Sequence, residues 1–438
     1  MNAILLTLIT GYLMILPFGQ LLRVPTPFPE ITLHAGDMVV GIIYLIWLGG
    51  IIVCKNSKKF PSPLPKPLVV FVIIALVSFI FSAVNTPIKE TLVSGLYLLR
   101  WVAYASLFII TLRLSKIKNY SLKIEKTLLF SITLVALFGI IQYLIFPNLK
   151  PLFKFGWDEH YYRLASTFLD PGYTGIVLLM GLIISVIPLL TKEGLGVVFL
   201  KDNKNNRALR LIITSLLYSS LALTYSRASY LALIGTSVVW LWFKRSARWA
   251  LIIGFIFLIT WLLLPHPVGE GGNLTRTSTI NFRFINYQHA LQLIKERPIL
   301  GVGFNRLRYV QRDHGFLSAD EWQTSHSASG IDNSWLFVFV TTGIIGFTSY
   351  LWIWISIFKS IWLTGQLNKI TLKQKNNKLL ITNYQLPTIL TLVSLVIHSQ
   401  FHNTLFYPPV MGITWIILGL ALASKNQPYP LKSKIQSY

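Results

Sequence analysis

Long apolar runs are the feature of this sequence that most limits what it can fold into. A helix needs about 20 consecutive, mainly apolar residues to cross a bilayer. Twelve runs approach or reach that length: 3–19, 38–54, 68–84, 92–112, 127–146, 172–191, 209–224, 228–243, 248–264, 334–358, 386–402 and 408–423. The chain is also only 12% charged, about half the value of a soluble domain. We therefore predict an all-α, polytopic membrane protein of about twelve transmembrane helices, built as one membrane domain over residues 1–438.

The basic residues predict how these helices are oriented. Of the 39 lysines and arginines, 25 lie in the even-numbered loops and the C-terminal tail. Because basic loops stay on the cytoplasmic side, we expect both termini in the cytoplasm. The basic residues behind the formal net charge of +24 therefore set the topology and contact anionic lipid. Nucleic acid is not predicted as a partner.

Two loops on the predicted outer side stand apart. Residues 147–171 mix aromatic and charged side chains, which is typical of a segment at the membrane interface. Residues 265–333 form the longest stretch between apolar runs, and long loops in compact proteins are usually functional or disordered. Apolar residues throughout this one favour a folded loop.

A helix is predicted inside the large loop. Phe282, Ile285, Leu291 and Ile294 fall roughly on one face over residues 282–296, which is the spacing of a helix. A proline at 298 and the Gly-Val-Gly turn at 301–303 then end the helix.

Two arginines are candidate phosphate ligands, because a guanidinium can donate to two phosphate oxygens at once. Arg227 lies at a tight junction between two apolar runs, and Arg283 opens the helix of the large loop. A structural reading is equally open for Arg227, namely an arginine that reaches the lipid headgroups.

Asp332 is a candidate general base at the start of the tenth apolar run. A carboxylate at the membrane boundary could take a proton from a sugar hydroxyl, but the same residue could simply cap the helix. His314 and His326 in the same loop are rival bases.

A further group of polar residues could line a cavity. Arg100 lies within the fourth apolar run, where a charge is costly and usually functional; Asp37 is one possible partner, and a structural ion pair is as plausible. Asn333, at the entry to the tenth run, could line the same cavity. His398, His402 and Asn403 close the eleventh run near the outer face and could line that cavity or cap the helix.

Several kinds of chemistry have no signature here. The sequence contains no HExxH, no P-loop and no nucleotide-binding fingerprint, and its single cysteine, Cys54, gives neither a disulfide nor a thiolate metal site. We therefore predict no metal and no cofactor. A substrate that is already activated and is presented from the lipid is the natural alternative.

Several short motifs together resemble the O-antigen ligase and O-antigen polymerase superfamily of membrane glycosyltransferases. The resemblance covers roughly residues 120–425. The segments that carry it are Arg163-Leu-Ala-Ser-Thr-Phe-Leu-Asp-Pro (163–171), Thr-Tyr-Ser-Arg-Ala-Ser (224–229), Arg283, His-Ala-Leu-Gln-Leu-Ile-Lys-Glu-Arg-Pro-Ile-Leu-Gly-Val-Gly (289–303), Asp-Asn-Ser-Trp-Leu (332–336) and Thr-Thr-Gly-Ile-Ile-Gly (341–346).

This resemblance implies a glycosyltransferase-C type fold in a bacterial inner membrane, with its active site on the outer, periplasmic face. It implies inverting, metal-independent transfer of a glycan from undecaprenyl diphosphate to a glycan or lipid acceptor. Arg227 and Arg283 match the arginines that hold the donor diphosphate, and we add Arg163 as a third ligand. Asp332, with His326 as the alternative, is the expected base. Ligases carry histidine where this chain has Asp332, and polymerases more often carry aspartate, so both acceptor classes stay open.

Two other functions fit a chain of this type. A solute transporter or lipid-glycan flippase would use twelve helices, yet such proteins commonly show internal repeats and a midplane site, and the sequence has no clear repeat. A structural subunit of a polysaccharide export complex is the third possibility.

Overall fold

The computed structural model describes residues 1–53, 65–84, 86–155, 157–190, 204–264, 278–317, 322–323, 330–371 and 385–423. Within these ranges lie fourteen α-helices: α1 (Asn2–Ile15), α2 (Ala35–Val53), α3 (Pro65–Ala83), α4 (Ile88–Leu114), α5 (Tyr120–Ile145), α6 (Pro171–Leu190), α7 (Lys204–Ala222), α8 (Arg227–Lys244), α9 (Ala247–Leu263), α10 (Ser278–Glu296), α11 (Leu307–Asp313), α12 (Ser334–Thr371), α13 (Gln385–His398) and α14 (Pro408–Ala423). The fold is thus nearly all-α, as the apolar runs predicted. A two-stranded antiparallel ribbon, β1 (Arg23–Val24) and β2 (Leu33–His34), is a small addition that the sequence did not suggest.

Each predicted apolar run lies on a helix of the structure, α1 to α9 and α12 to α14. Six helical stretches are long and apolar enough to cross a membrane, and five more apolar helices are shorter. Helix α7 falls in neither group. The eleventh run is shorter than predicted, because α13 ends at His398. These apolar helices point to a membrane protein.

Packing between distant helices builds the main core. Helix α4 packs on α14, α3 on α12, and α8 on α13. Trp101 on α4 lies edge-on to Trp415 on α14, with ring centroids 6.2 Å apart, and contacts Phe71 on α3 at 4.9 Å. Large aromatic side chains therefore hold together helices from separate parts of the chain.

The described part of the large loop holds helices α10 and α11 and a small core of its own. Helix α10 confirms the predicted helix. Ala290 and Leu293 are fully buried and Ile294 packs beside them, whereas Phe282 and Leu291 are exposed. Helix α10 therefore buries only part of its apolar surface, against α12, while Phe282 and Ile285 line a cavity.

A backbone interlock fixes the end of α10. Helix α12 is interrupted at Gly343, whose φ of 64° and ψ of −170° are accessible essentially to glycine alone. The turn after α10 enters this break: the Ile344 amide donates to the Pro298 carbonyl at 2.9 Å, and the Val302 amide donates to the Val340 carbonyl at 2.9 Å. A Cβ at Gly343 would lie 2.1 Å from the Ile299 carbonyl oxygen. The glycines of the 301–303 turn and of the 341–346 motif therefore position α10, and with it Arg283.

Residues 163–168 of the 147–171 segment pack into the protein, whereas Phe153 and Phe155 earlier in the segment are exposed, so the interfacial prediction stays open for its first part. Leu164 and Phe168 are fully buried. The side-chain oxygen of Gln142 on α5 accepts hydrogen bonds from the amides of Ala165 and Ser166 at 2.9 and 3.1 Å. This buried part of the segment follows the inside of the helix bundle because these contacts satisfy its backbone polar groups there.

Candidate active site

A cavity of about 910 Å³ opens between the 157–173 segment, α10 and the ends of α8, α12 and α13. Six of the predicted site residues line it together: Arg100, Arg163, Arg227, Arg283, Asp332 and His402. They come from distant parts of the chain, so only the tertiary structure brings them to one place.

Arg227 reaches the cavity from the turn between α7 and α8. Tyr225 in this turn has a positive φ of 49°, and Ser226 caps α8 by accepting a hydrogen bond from the Ser229 amide at 3.3 Å. This geometry places Arg227 at the first position of α8, on the cavity wall. Arg283 is close enough that its positive charge acts on Arg227.

Arg163 holds the same turn in place through hydrogen bonds to its backbone. It is buried, and its Nε and Nη2 donate to the carbonyls of Thr224 and Tyr225 at 3.1 and 3.2 Å. Two of its donor groups are therefore committed to the backbone next to Arg227. The structure gives Arg163 a positioning role that the sequence did not suggest, beside its place on the cavity wall.

Arg283 joins three elements at the centre of the cavity. Its Nε donates to Oδ2 of Asp332 at 3.4 Å, and its Nη2 donates to Nε2 of His402 at 3.4 Å. Tyr287, one turn along α10, holds the segment in place: its hydroxyl lies 2.9 Å from the Asp332 carbonyl oxygen.

The helix-cap role considered for Asp332 belongs to its neighbour. Oδ1 of Asn333 accepts hydrogen bonds from the amides of Trp335 and Leu336 at 2.9 and 3.0 Å, which is the pattern of an N-cap. Asn333 therefore caps α12, and is absent from the cavity wall that it was expected to line. The Asp332 carboxylate remains available to the cavity.

Three carboxyl groups in the cavity are easier to protonate than usual. The protein around the cavity restricts the access of water to Asp332 and raises its pKa, although the Arg283 guanidinium lowers it. Burial, followed by repulsion from Asp170 and Asp332, raises the pKa of Asp158 to about 6. The pKa of Asp170 is raised in the same direction, chiefly by burial. Perturbed carboxyl groups in a cleft are typical of functional sites.

Asp158, His160 and Asp170 form a cluster that the sequence did not single out. Their ligand atoms all lie within 4.8 Å of one another, which is compatible with a cation site. Asp170 also accepts a hydrogen bond from the Tyr173 amide at 2.8 Å, as a cap of α6. The Leu-Asp-Pro motif at 169–171 was a usable signal for this aspartate, but the fold alone brings His160 beside it.

His402 is held on the cavity wall as a neutral ring. Burial, together with nearby His398 and Arg283, keeps its pKa well below the ordinary histidine value, so Nε2 can accept from Arg283. Its ring stacks on that of His398 at 4.9 Å. Gly172 makes this arrangement possible, because a Cβ there would lie 2.5 Å from the His402 ring. His398 itself bonds Thr404 at 2.7 Å and is absent from the cavity wall.

Arg100 lines another part of the same cavity and is paired as predicted. Its Nη2 lies 3.3 Å from Oδ2 of Asp37, which confirms Asp37 as the partner. The same guanidinium donates to the Thr32 carbonyl.

Of the two rival histidine bases, the structure describes only His314. His314 bonds Glu296 at 2.9 Å and the Val310 carbonyl at 2.8 Å, and it is absent from the cavity wall. His326 lies outside the described residues.

Residues 211–351 match the family model of the O-antigen ligases. This match confirms the resemblance to the O-antigen ligase and polymerase superfamily. It includes Arg227, Arg283 and Asp332, whereas Arg163 and His402 lie outside it and join them only through the fold. No curated protein matches the chain. The family suggests an enzyme, of a membrane glycosyltransferase type.

Proposed function

We propose that the protein transfers or polymerises glycan units carried on undecaprenyl diphosphate, at the outer face of a bacterial inner membrane that it crosses twelve times. One observation carries this proposal: Arg227 and Arg283, which lie on different helices, line one cavity together with Asp332. Two like charges facing one space favour an anionic ligand between them, and a diphosphate is the anion that such a donor would bring.

The chemistry follows from these positions. The acceptor hydroxyl attacks the anomeric carbon of the lipid-linked glycan, and a new glycosidic bond forms with inversion. The bond to the diphosphate breaks, and undecaprenyl diphosphate leaves with the electron pair. The hydroxyl proton passes to the Asp332 carboxylate.

Each residue has a separate task in this scheme. Arg227 and Arg283 neutralise the charge that develops on the leaving diphosphate, so no divalent cation is required. Arg283 also orients the carboxylate of Asp332, and Arg163 holds the turn that carries Arg227. A base with a raised pKa suits the task, because it takes up a proton more readily than an ordinary aspartate.

The test is a transfer assay with the purified full-length protein in lipid nanodiscs. The substrate is lipid-linked oligosaccharide extracted from cells that make it. We expect Arg227→Ala and Arg283→Ala each to slow transfer by about 10²–10³, the usual effect of removing a preorganised donor. Arg297→Ala is the matched control, because Arg297 follows α10 and is exposed outside this cavity.

The form of the product separates the two acceptor classes. A ladder of glycans indicates a polymerase, and a single discrete product with a lipid acceptor indicates a ligase. Near-normal transfer by both arginine variants would contradict the diphosphate assignment.

A further inference from the structure

A second polar cluster lines the cavity away from Arg227 and Arg283. It consists of Gln20 after α1, His34 on β2, and Arg100 on α4, with Asp37 of α2 behind them; we call these four residues the His34 cluster. The proposed transfer chemistry uses none of them.

The His34 cluster is rigidly built. Asp37, whose side chain is only 4% exposed, accepts hydrogen bonds from the His34 amide at 2.9 Å and from the Tyr104 hydroxyl at 3.0 Å. It also lies 3.3 Å from both His34 Nδ1 and Arg100 Nη2. The outer ring nitrogen of His34 then lies 2.7 Å from Oε1 of Gln20. One buried carboxylate thus orients His34 and Arg100, and His34 in turn contacts Gln20.

The charge of the cluster distinguishes it from a phosphate site. Arg100 is compensated by Asp37, so a dianion would gain little here. The groups of the cluster that face the cavity are an amide, an imidazole and a guanidinium. Tyr97, Trp101 and the oppositely charged Glu30 and Arg308 line the same cavity. The Tyr97 ring lies 4.7 Å from the Arg100 guanidinium carbon. Directional polar groups beside aromatic faces suit a neutral, hydroxyl-rich ligand, in other words a carbohydrate.

A row of contacting side chains joins the His34 cluster to Arg283. Nε2 of Gln20 donates to the Tyr407 hydroxyl at 3.4 Å. The Tyr407 ring stacks on Tyr173 with centroids 3.9 Å apart and an angle of 11°, and Tyr173 lies 5.7 Å from the ring of His402. His402 contacts Arg283. A glycan bound at the His34 cluster could therefore extend over the tyrosines towards the reacting carbon.

We propose that the His34 cluster is the acceptor subsite and that it binds the acceptor as a glycan. This inference rests on the proposed function, since an acceptor exists only if transfer does. The Tyr173–Tyr407 pair forms the platform between the acceptor subsite and the arginines of the donor site.

The test measures two affinities of the full-length protein in nanodiscs. One ligand is the oligosaccharide released by mild acid from the lipid-linked donor, which lacks the diphosphate and the lipid. The other is undecaprenyl diphosphate, which lacks the glycan. We expect His34→Ala and Gln20→Ala each to weaken binding of the free oligosaccharide about tenfold and to leave binding of undecaprenyl diphosphate unchanged. Arg227→Ala should do the reverse.

His314→Ala is the matched histidine control, because His314 is absent from the cavity wall, and it should change neither affinity. The inference is overturned if wild-type protein does not bind the oligosaccharide, or if Gln20→Ala and His34→Ala bind it normally. Loss of both affinities in His34→Ala, with none lost in Gln20→Ala, also overturns it, since His34 would then be structural. Failure of the proposed function looks different: Arg227→Ala and Arg283→Ala would bind undecaprenyl diphosphate like wild type.

Discussion

Two arginine–aspartate pairs line the same cavity, and they are built in opposite ways. Arg100 and Asp37 lie 3.3 Å apart, and the Asp37 side chain is 4% exposed. Arg283 and Asp332 lie 3.4 Å apart, but the Asp332 side chain is 53% exposed. The first carboxylate is enclosed by donors from α4 and β2, whereas the second faces the open cavity beside a single guanidinium.

The difference indicates that the first pair supports the structure and that the second pair can take part in chemistry. A buried charge must be paired and hydrogen-bonded to be tolerated, and removing one partner is strongly destabilising. Asp37 therefore holds its surroundings in place, and it is absent from the cavity wall. The Asp332 pair costs little to open, so its carboxylate can exchange Arg283 for an acceptor hydroxyl. Four predictions test this contrast, in order of decreasing effect.

The largest effect is expected at the open pair. Asp332→Asn should slow glycan transfer by about 10²–10⁴, the usual contribution of a general base, because the amide cannot take up a proton. Thermal stability should be unchanged, since Asn333 and not Asp332 caps α12. Asp313→Asn is the matched control: Asp313 pairs with Arg312 outside the cavity. A fully active Asp332→Asn protein would move the base to Asp158, Asp170 or His326.

The closed pair should affect stability instead. Asp37→Ala leaves Arg100 buried without its carboxylate, and we expect the free energy of unfolding to fall by about 3–5 kcal/mol. Asp332→Ala should lower it by less than about 1 kcal/mol, as for other exposed pairs. Denaturant unfolding of both variants in the same detergent measures the difference. Equal losses would show that the two pairs have the same role.

The pH dependence of transfer gives a smaller, graded effect. Because the protein around the cavity restricts the access of water to Asp332 and so raises its pKa above the usual 3.8, the carboxylate is fully available only above the raised pKa and is lost as the pH falls through it. We expect the acid limb of the pH–rate profile to have its midpoint above that of an ordinary aspartate. The same limb should be absent from the residual activity of Asp332→Asn. A limb that persists in the variant would belong to another group, such as Asp158.

Removal of divalent cations should have the smallest effect of the four. Since Arg227 and Arg283 supply the positive charge, we expect wild-type transfer rates to be the same with EDTA and with added Mg²⁺ or Mn²⁺. The opposite outcome would also have a structural explanation. If EDTA stops transfer and Asp170→Asn removes the dependence on cation, the cluster of Asp158, His160 and Asp170 is a cation site.

Much of the helical framework could be read from local pattern. Every predicted apolar run lies on a helix, and the break at residues 225–226 separates α7 from α8 where an arginine interrupts the run. The helix at 282–296 was also predictable from its spacing and the glycine turn after it. Its buried face was not, because the burial of Ala290 and Leu293 depends on the packing of α10 against α12.

The site was predictable in part. Arg227, Arg283 and Asp332 were found because each stands in a motif of the matched domain. The support role of Arg163 and the place of His160 beside Asp170 left no local signal, because each depends on how the chain folds back on itself. The capping of α12 by Asn333 is local, since its hydrogen bonds come from the amides of Trp335 and Leu336, and an asparagine directly before a helix is a usual N-cap.

The sequence by itself determined which segments are helical, that the chain belongs in a membrane, and which arginines and which aspartate are candidates for chemistry. These are properties of composition, spacing and short motifs, and they act over a few helical turns. The tertiary structure alone decided which charges meet. It buries Asp37 behind Arg100 and leaves Asp332 open beside Arg283, because the environment of a charge is set by whichever helices pack around it.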